Sequence, residues 1–286
     1  MKTTRKTLTQ FGYQSKKSRG QNFLIDEKIL QQIAQLASIN PEEYLLEIGP
    51  GPGSLTKYLV KKAKKVFAVE IERQLAQILK RTIPAENLEI IEADILQFDF
   101  KGIKRSDQKL KVISNLPFNI STPVLFKLLE TPGVFSELYL TLQKEVAERI
   151  VAHPKTRDYG ILAIIAQVHS EPEIILRIGP EAFRPRPKVH SALVKFKILD
   201  QPGYQISDYP EFKKVIKACF SQRRKLIINS LAGSGLNLEK DKIEQLLTRA
   251  EISPRARAEE IEIERLVRLA NLYHSEKESD AGIAGS

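Results

Sequence analysis

The sequence predicts an α/β protein: a mostly parallel, Rossmann-like sheet covered by helices on both faces, followed by a small helical part. Three observations predict it. Short apolar strands alternate with helical faces through the first two-thirds of the 286 residues. Around residues 171–199 two strand-like stretches are joined by a long Pro- and Arg-rich connection, which reads as a hairpin and adds an antiparallel strand. After the turn-rich stretch DQPGYQISDYP (200–210) only helical patterns follow. The expected division is a sheet domain over residues 1–205 that opens with a basic arm at 1–20, a helical domain over 206–273, and a frayed tail over 274–286.

Each element has a local reason. Tyr44–Ile48 (YLLEI) is an apolar run that stops at a Gly/Pro loop, after which Leu55, Tyr58 and Leu59 give a helical face. Val66–Glu70 (VFAVE) is the second strand, and Leu75, Ile78 and Leu79 follow at i, i+3, i+4 spacing. Leu88–Ile91 and Leu110–Ser114 are the third and fourth. Thr122-Pro123 is expected to open a helix, with Thr as N-cap and Pro at its first position, burying Val124, Leu125, Leu128 and Leu129. Leu138–Leu142 is the fifth strand, and Glu173–Ile178 with Ser191–Leu199 forms the hairpin. Cys219 lies on an apolar face with Phe212, Val215, Ile216 and Phe220, which places it in the core.

Composition narrows the classes. With one cysteine, an intrachain disulfide and a Cys-based zinc site are both excluded. The four histidines show no metal-ligand spacing, and no run approaches the roughly 18 apolar residues of a membrane helix. A soluble, cytoplasmic monomer is expected, with no metal and no membrane partner. Lys plus Arg exceed Asp plus Glu by 10, and the excess is clustered. Residues 1–20 carry Lys2, Arg5, Lys6, Lys16, Lys17 and Arg19 with no acid; residues 177–197 carry Arg184, Arg186 and Lys188 among others; a third cluster includes Arg223, Arg224 and Lys225. One cluster alone reads as a solvated helix face. Three together point to a polyanion, and to nucleic acid first.

The loop after the first strand is Gly49-Pro50-Gly51-Pro52-Gly53. Glycines there let backbone approach a ligand at a helix N-terminus. Two cofactors use such loops. The NAD fingerprint G-x-G-x-x-G finds Ser54 at its last position, whereas G-x-G-x-G suits a loop holding S-adenosylmethionine. Glu70 ends the second strand 21 residues after Gly49, where a carboxylate accepts both hydroxyls of a ribose, so it supports a nucleoside of either kind. Asp94, after the third strand, suits an adenine amino group or a plain turn. The fourth strand ends in Asn115-Leu116-Pro117-Phe118. The Asn115 side-chain carbonyl and the Leu116 main-chain carbonyl are two acceptors for one exocyclic amine. Its lone pair is delocalised into the ring, and accepting both hydrogens favours a tetrahedral, nucleophilic nitrogen. Phe118 offers a stacking face worth roughly 1–3 kcal/mol per base.

Together QNFLID (21–26), EIGPGPGSLT (47–56), VEIE (69–72), EADIL (92–96), NLPFNIST (115–122) and FRPRPKVHSALV (183–194) resemble the ribosomal RNA adenine dimethyltransferase family. The resemblance runs from about Ser18 to Tyr273 and is closest to the KsgA type, which dimethylates two adjacent adenosines in the 3′-terminal hairpin loop of small-subunit (16S) rRNA. It implies a class I S-adenosylmethionine-dependent methyltransferase sheet, and a partly assembled small subunit as partner. It implies that Asn22, Leu24, Gly49, Glu70, Asp94 and Asn115 hold the cofactor. By the same resemblance Asn115, Leu116, Phe118 and Phe183 serve the target base, the two rings sandwiching a flipped adenine. Arg184, Arg186, Lys188, Arg223, Arg224 and Lys225 would bind RNA. With a binding motif starting at Gln21, the acid-free arm leaves little to read as a removable transit peptide.

Phe118 departs from the Tyr more usual in bacterial relatives: the stack is kept and the hydroxyl lost. His190 reads as a loop residue. The nearest rival is the relative that methylates one adenosine of large-subunit (23S) rRNA; QRRK (222–225) and the GPGPG loop favour the small-subunit enzyme. An assembly or transcription factor that has lost the chemistry would not need Asn115, Phe118 and Glu70. An NAD dehydrogenase would need a hydride-transfer acid or base that is not seen.

Overall fold

The central strands here are mostly apolar runs because the sheet buries them on both sides. The computed structural model describes residues 8–14, 20–103, 108–236 and 238–284. All six basic residues of the N-terminal arm lie outside them. β1 (Phe23–Leu24) is followed by β2 (Tyr44–Ile48), β3 (Lys65–Glu70), β4 (Leu88–Glu92), β5 (Leu110–Asn115), β6 (Phe135–Gln143), β7 (Ser170–Ile178), β8 (Phe183–Arg184) and β9 (Ser191–Ile198). Seven of these form one sheet in the order β4-β3-β2-β5-β6-β9-β7, while β1 pairs antiparallel with β8. The strands from β4 through β6 are parallel neighbours, and β9 runs antiparallel to both β6 and β7. The expected sheet is therefore present, its single reversed strand being β9.

The helices follow local chemistry. In α1 (Glu27–Leu36) the Asp26 side chain caps the first turn, accepting from Lys28 N at 2.9 Å and Ile29 N at 3.1 Å. Its buried Leu30, Ile33 and Ala34 recur at helical spacing. After α2 (Thr56–Leu59), α3 (Arg73–Thr82) buries Leu75, Ile78 and Leu79, the predicted face. α4 (Ser121–Leu129) starts one residue before Thr122, which is thus not its cap. A turn already closed by Ile120 N donating to Pro117 O carries the chain into the helix, and Ser121 Oγ donates to Phe118 O. Pro123 is accommodated because amides of a first helical turn have no partner within the helix to lose.

By internal contacts the chain falls into two units: Met1–Ala147 with Ser170–Asp200, and Glu148–His169 with Gln201–Ser286. The boundary expected at 205 therefore needs a second excursion. α5 (Lys144–Ile150) leads into it and α6 (Ile161–His169) closes it. The excursion is bound into the helical unit by specific bonds. Tyr159, fully buried, donates its hydroxyl to Ile261 O at 3.1 Å, Lys155 N donates to Glu259 O at 2.7 Å, and Gly203 N donates to Val168 O at 2.9 Å. The rest of this unit is α7 (Tyr209–Cys219), α8 (Ile227–Ala232), α9 (Lys240–Arg249) and α10 (Ile263–Ala284). α10 continues through the stretch from 274 that composition alone marks as frayed. Glu276 on it pairs with both Lys242 and Arg249 of α9, and His274 stands 3.5 Å from Glu278 one turn on. Cys219 is fully buried, and burial pushes its thiol up to about 12, so it behaves as an apolar core residue. No helix among the described residues is long and apolar enough to cross a membrane.

Candidate active site

The C-terminal ends of β2, β3, β4 and β5 converge on a cavity of about 320 Å³, within the range of roughly 300–1,000 Å³ usual for small-ligand sites. Its lining includes Asn22, Gly49, Glu70, Asp94, Asn115 and Leu116, six of the residues marked in the sequence. Parallel strands bring Gly49, Glu70, Asp94, Asn115 and Leu116 there, the place outside the carboxyl ends of such strands where ligands bind, and Asn22 comes from the segment just ahead of β1.

The glycine loop needs its glycines. Gly49 and Gly51 have φ of +64° and +57°, a region L side chains rarely adopt, and a Cβ on Gly51 would meet the Phe23 ring at 2.8 Å. Gly51 N donates to Glu70 Oε2 at 3.1 Å and Glu72 N donates to Oε1 at 2.9 Å, so the buried carboxylate is aimed by two backbone donors. A carboxylate accepts at both oxygens, the chemistry that the two hydroxyls of a ribose require. Asp94 Oδ1 accepts from Leu96 N at 2.9 Å, so Asp94 is both a turn residue and a cavity residue.

Asn115 carries the most informative geometry. Its Nδ2 donates to the main-chain carbonyl of Asn22 at 3.0 Å, while its Oδ1 is buried without a hydrogen-bond partner among the described residues. A carbonyl can only accept, so the nitrogen must face Asn22 and the oxygen is left as an acceptor at the cavity wall. A buried acceptor without a partner is uncommon and is explained when a ligand completes it. One residue into β2 from its end, Glu47 is fully enclosed. Burial pushes its carboxyl up to about 8 and the Glu70 charge adds to the shift; the Thr56 hydroxyl opposes it, standing outside hydrogen-bonding geometry.

Three residues expected at the cofactor or the target base do not line the cavity: Leu24, Phe183 and Phe118. Leu24 is buried in the core with Leu30, Leu45 and Phe183, and does not line the cavity. The cause is the two-residue period of a strand: Phe23 and Leu24 face opposite sides, and Phe23 is the one that reaches the cavity. Phe183 pairs with Leu24 across β1–β8 and has no exposed surface. It meets half-buried Phe118 edge-on, ring centroids 6.5 Å apart and planes at 61°. Rings so placed leave no parallel slot between them in this structure, and Phe118 is not among the residues that line the cavity.

The basic residues divide as well. All six expected to bind RNA are exposed, but two of the six, Arg184 and Arg223, have guanidinium groups bonded within the chain. Arg184 turns its guanidinium onto Phe183 O at 2.8 Å. Arg223 is spent within the helical unit, donating to the carbonyls of Arg157 and Tyr159 and standing 3.5 Å from Glu259. Ile71 was not marked in the sequence. It is 58% exposed, lines the cavity directly after Glu70, and offers an apolar face beside Asp94. An apolar residue following the acid at a strand end is the signal that could have found it.

A family model described as ribosomal RNA adenine dimethylase matches residues 12–275. A ribosomal RNA small subunit methyltransferase A of Alkaliphilus oremlandii (strain OhILAs) is 38% identical over 274 residues, 94% of this chain and 96% of that one. Its counterpart in Desulfitobacterium hafniense (strain DSM 10664 / DCB-2) is 41% identical over 253 residues, 88% of this chain and 90% of that one. Among solved structures, a dimethyladenosine transferase from Plasmodium falciparum shares the fold, with TM-score 0.74 at 24% identity over 89% of this chain and 98% of that one. The 23S rRNA methyltransferase ErmE aligns with TM-score 0.65 at 25% identity, over 88% and 99% respectively. The family match runs through both units, and the chain belongs to the ribosomal RNA adenine dimethylase family.

Proposed function

We propose that this enzyme uses S-adenosylmethionine to dimethylate N6 of two adjacent adenosines in the 3′-terminal hairpin loop of small-subunit rRNA. The single observation that carries the reading is Asn115: an amide whose donor is taken by Asn22 and whose buried oxygen awaits one. The small-subunit methyltransferases at 38% and 41% identity support the choice of substrate.

The residues present fit the cofactor. The Glu70 carboxylate, pre-aimed by two amides, suits a ribose; Asp94 and Ile71 suit an adenine edge and face; the backbone at Gly49 suits the amino-acid end. Bound there, S-adenosylmethionine supplies an electrophilic methyl group on a sulfonium sulfur. Asn115 Oδ1, with the Leu116 carbonyl, would take the two hydrogens of the target amine and direct its lone pair into the cavity. Phe118 would hold the flipped base by stacking on one face. No strong general base is required, because the nitrogen becomes acidic once methylated and its proton leaves to water.

Exposed Arg186, Lys188, Arg224 and Lys225 support contacts to RNA phosphates, and on this reading the helical unit docks a partly assembled subunit, the enzyme acting as a cytoplasmic monomer. Primer extension on both rRNAs from cells lacking the protein tests the substrate, since N6-dimethyladenine stops the polymerase. The expected result is loss of a stop near the 3′ end of small-subunit rRNA. Loss of a stop in large-subunit rRNA alone would overturn it.

A further inference from the structure

Ahead of β1 lies a polar ring that links two sides of the cavity. The Tyr13 hydroxyl stands 2.8 Å from Gln21 Oε1 and 3.1 Å from Glu72 Oε2, and Gln21 Nε2 donates to that same Glu72 oxygen at 3.1 Å. Tyr13 and Glu72 are both buried. The Tyr13 ring packs with Leu75 and Ile78 of α3 and meets Phe23 edge-on, centroids 6.2 Å apart. Burial raises the Tyr13 phenol well above its ordinary value, so it stays a donor at working pH.

This ring fixes Gln21, and the next residue is Asn22, whose carbonyl holds Asn115 Nδ2. Two consecutive residues are thus fastened to two walls of the cavity: Gln21 to Glu72, just past β3, and Asn22 to Asn115, the last residue of β5. Through Glu72 the link also reaches the ribose site, because Glu72 N donates to Glu70.

We propose that Tyr13 is a positioning residue for methyl transfer: by holding Gln21, it keeps the Asn22 carbonyl where it sets the orientation of the Asn115 amide. The inference rests on the reading of Asn115 as acceptor for the target amine. Without the Asn22 carbonyl the amide is free to turn over, and a turned amide sets a donor against the amine's own donors. The loss falls on the transfer step, and the cofactor keeps its contacts at Gly49, Glu70 and Asp94.

Tyr13→Phe keeps the packed ring and removes only the hydroxyl. Single-turnover transfer from labelled S-adenosylmethionine to small-subunit particles from cells lacking the enzyme should slow about 10-fold at saturating concentrations, since small misplacements at a reacting centre cost that much or more. The dissociation constant for S-adenosylmethionine should stay within about 2-fold. Gln21→Ala should slow transfer similarly, and the double variant should be no slower than Gln21→Ala alone, because both cut one chain of contacts. Transfer by Tyr13→Phe at the normal rate overturns the proposal. So does weakened cofactor binding with an unchanged transfer rate, which would make the ring a packing device only. Asn115→Ala, measured in parallel, separates the two claims. If it transfers normally, the reading of Asn115 fails; if it is silent while Tyr13→Phe is normal, only the role of Tyr13 fails.

Discussion

At the N-terminal ends of β2, β5 and β6, Lys111 is 4% exposed and donates to Ala37 O at 3.1 Å, with Glu43 at 2.9 Å and Glu137 at 3.3 Å. Glu137 in turn meets Lys195 at 2.9 Å. Burial works against the Glu137 carboxylate, yet its two lysines prevail and hold it below the usual range. At the opposite ends of the same strands the pattern inverts. The buried side-chain oxygens left without partners among the described residues of the sheet unit are those of Glu47, Thr56, Asn115, Thr141 and Ser191. They lie at or toward the carboxyl ends of β2, β5 and β6, with Thr141 directly across from Asn115 and Ser191 across from Gln143. One end spends its polar groups on the fold; at the other some stay unspent, and of these Asn115 is the one that lines the cavity, where a ligand can complete its oxygen.

Cutting into the satisfied end should give the largest effect, and on stability alone. Lys111→Ala takes the buried cation from Glu43 and Ala37 O and leaves Glu137 with Lys195 alone, and should cost about 2–4 kcal/mol in urea unfolding, with turnover per folded molecule unchanged. Cutting into the other end should do the reverse. Phe118→Ala should lose roughly 1–3 kcal/mol of stacking, about 5- to 150-fold in kcat/KM for RNA, with the melting temperature little moved. Phe118→Tyr should stay within a few-fold.

The pH dependence separates the ends by sign. Glu47 holds its proton to about 8 in the fold, against 4.5 as the ordinary value, so the unfolded chain binds fewer protons between these limits. Its contribution therefore weakens stability as pH rises from about 4.5 to 8, whereas that of Glu137 is lost as pH falls. Denaturation at pH 5 and pH 8 should show a smaller loss for Glu47→Gln than for the natural chain. The smallest effects belong to the helical unit. Arg224→Ala should lower the salt dependence of RNA binding by about one unit of slope, as for one phosphate contact. Arg223→Ala, whose guanidinium serves Arg157 and Tyr159, should change the melting temperature first.

What could be read from the sequence follows the same division. β2, β3 and β5 were legible because burial on both faces makes them mostly apolar runs, and Gly49, Glu70, Asp94 and Asn115 because each stands at or just past the end of a strand. The excursion through Tyr159 was not legible: what assigns it to the helical unit is a bond to Ile261, 102 residues away, which no local pattern records. Leu24 and Phe183 carry family motifs, but a motif does not say which way a strand turns its side chains. Tyr13 gave no signal, and Glu72 entered only as the end of VEIE, because a polar ring assembled from residues 59 positions apart has no spacing to recognise.

The most direct test of the withheld acceptor is Asn115→Ala, with S-adenosylmethionine affinity and single-turnover methyl transfer to small-subunit particles measured on the same preparation. The account predicts transfer reduced by about 10²-fold or more, as for loss of one preorganised hydrogen-bonding group at a reacting centre, with affinity changed only a few-fold. Transfer close to that of the natural chain would contradict it.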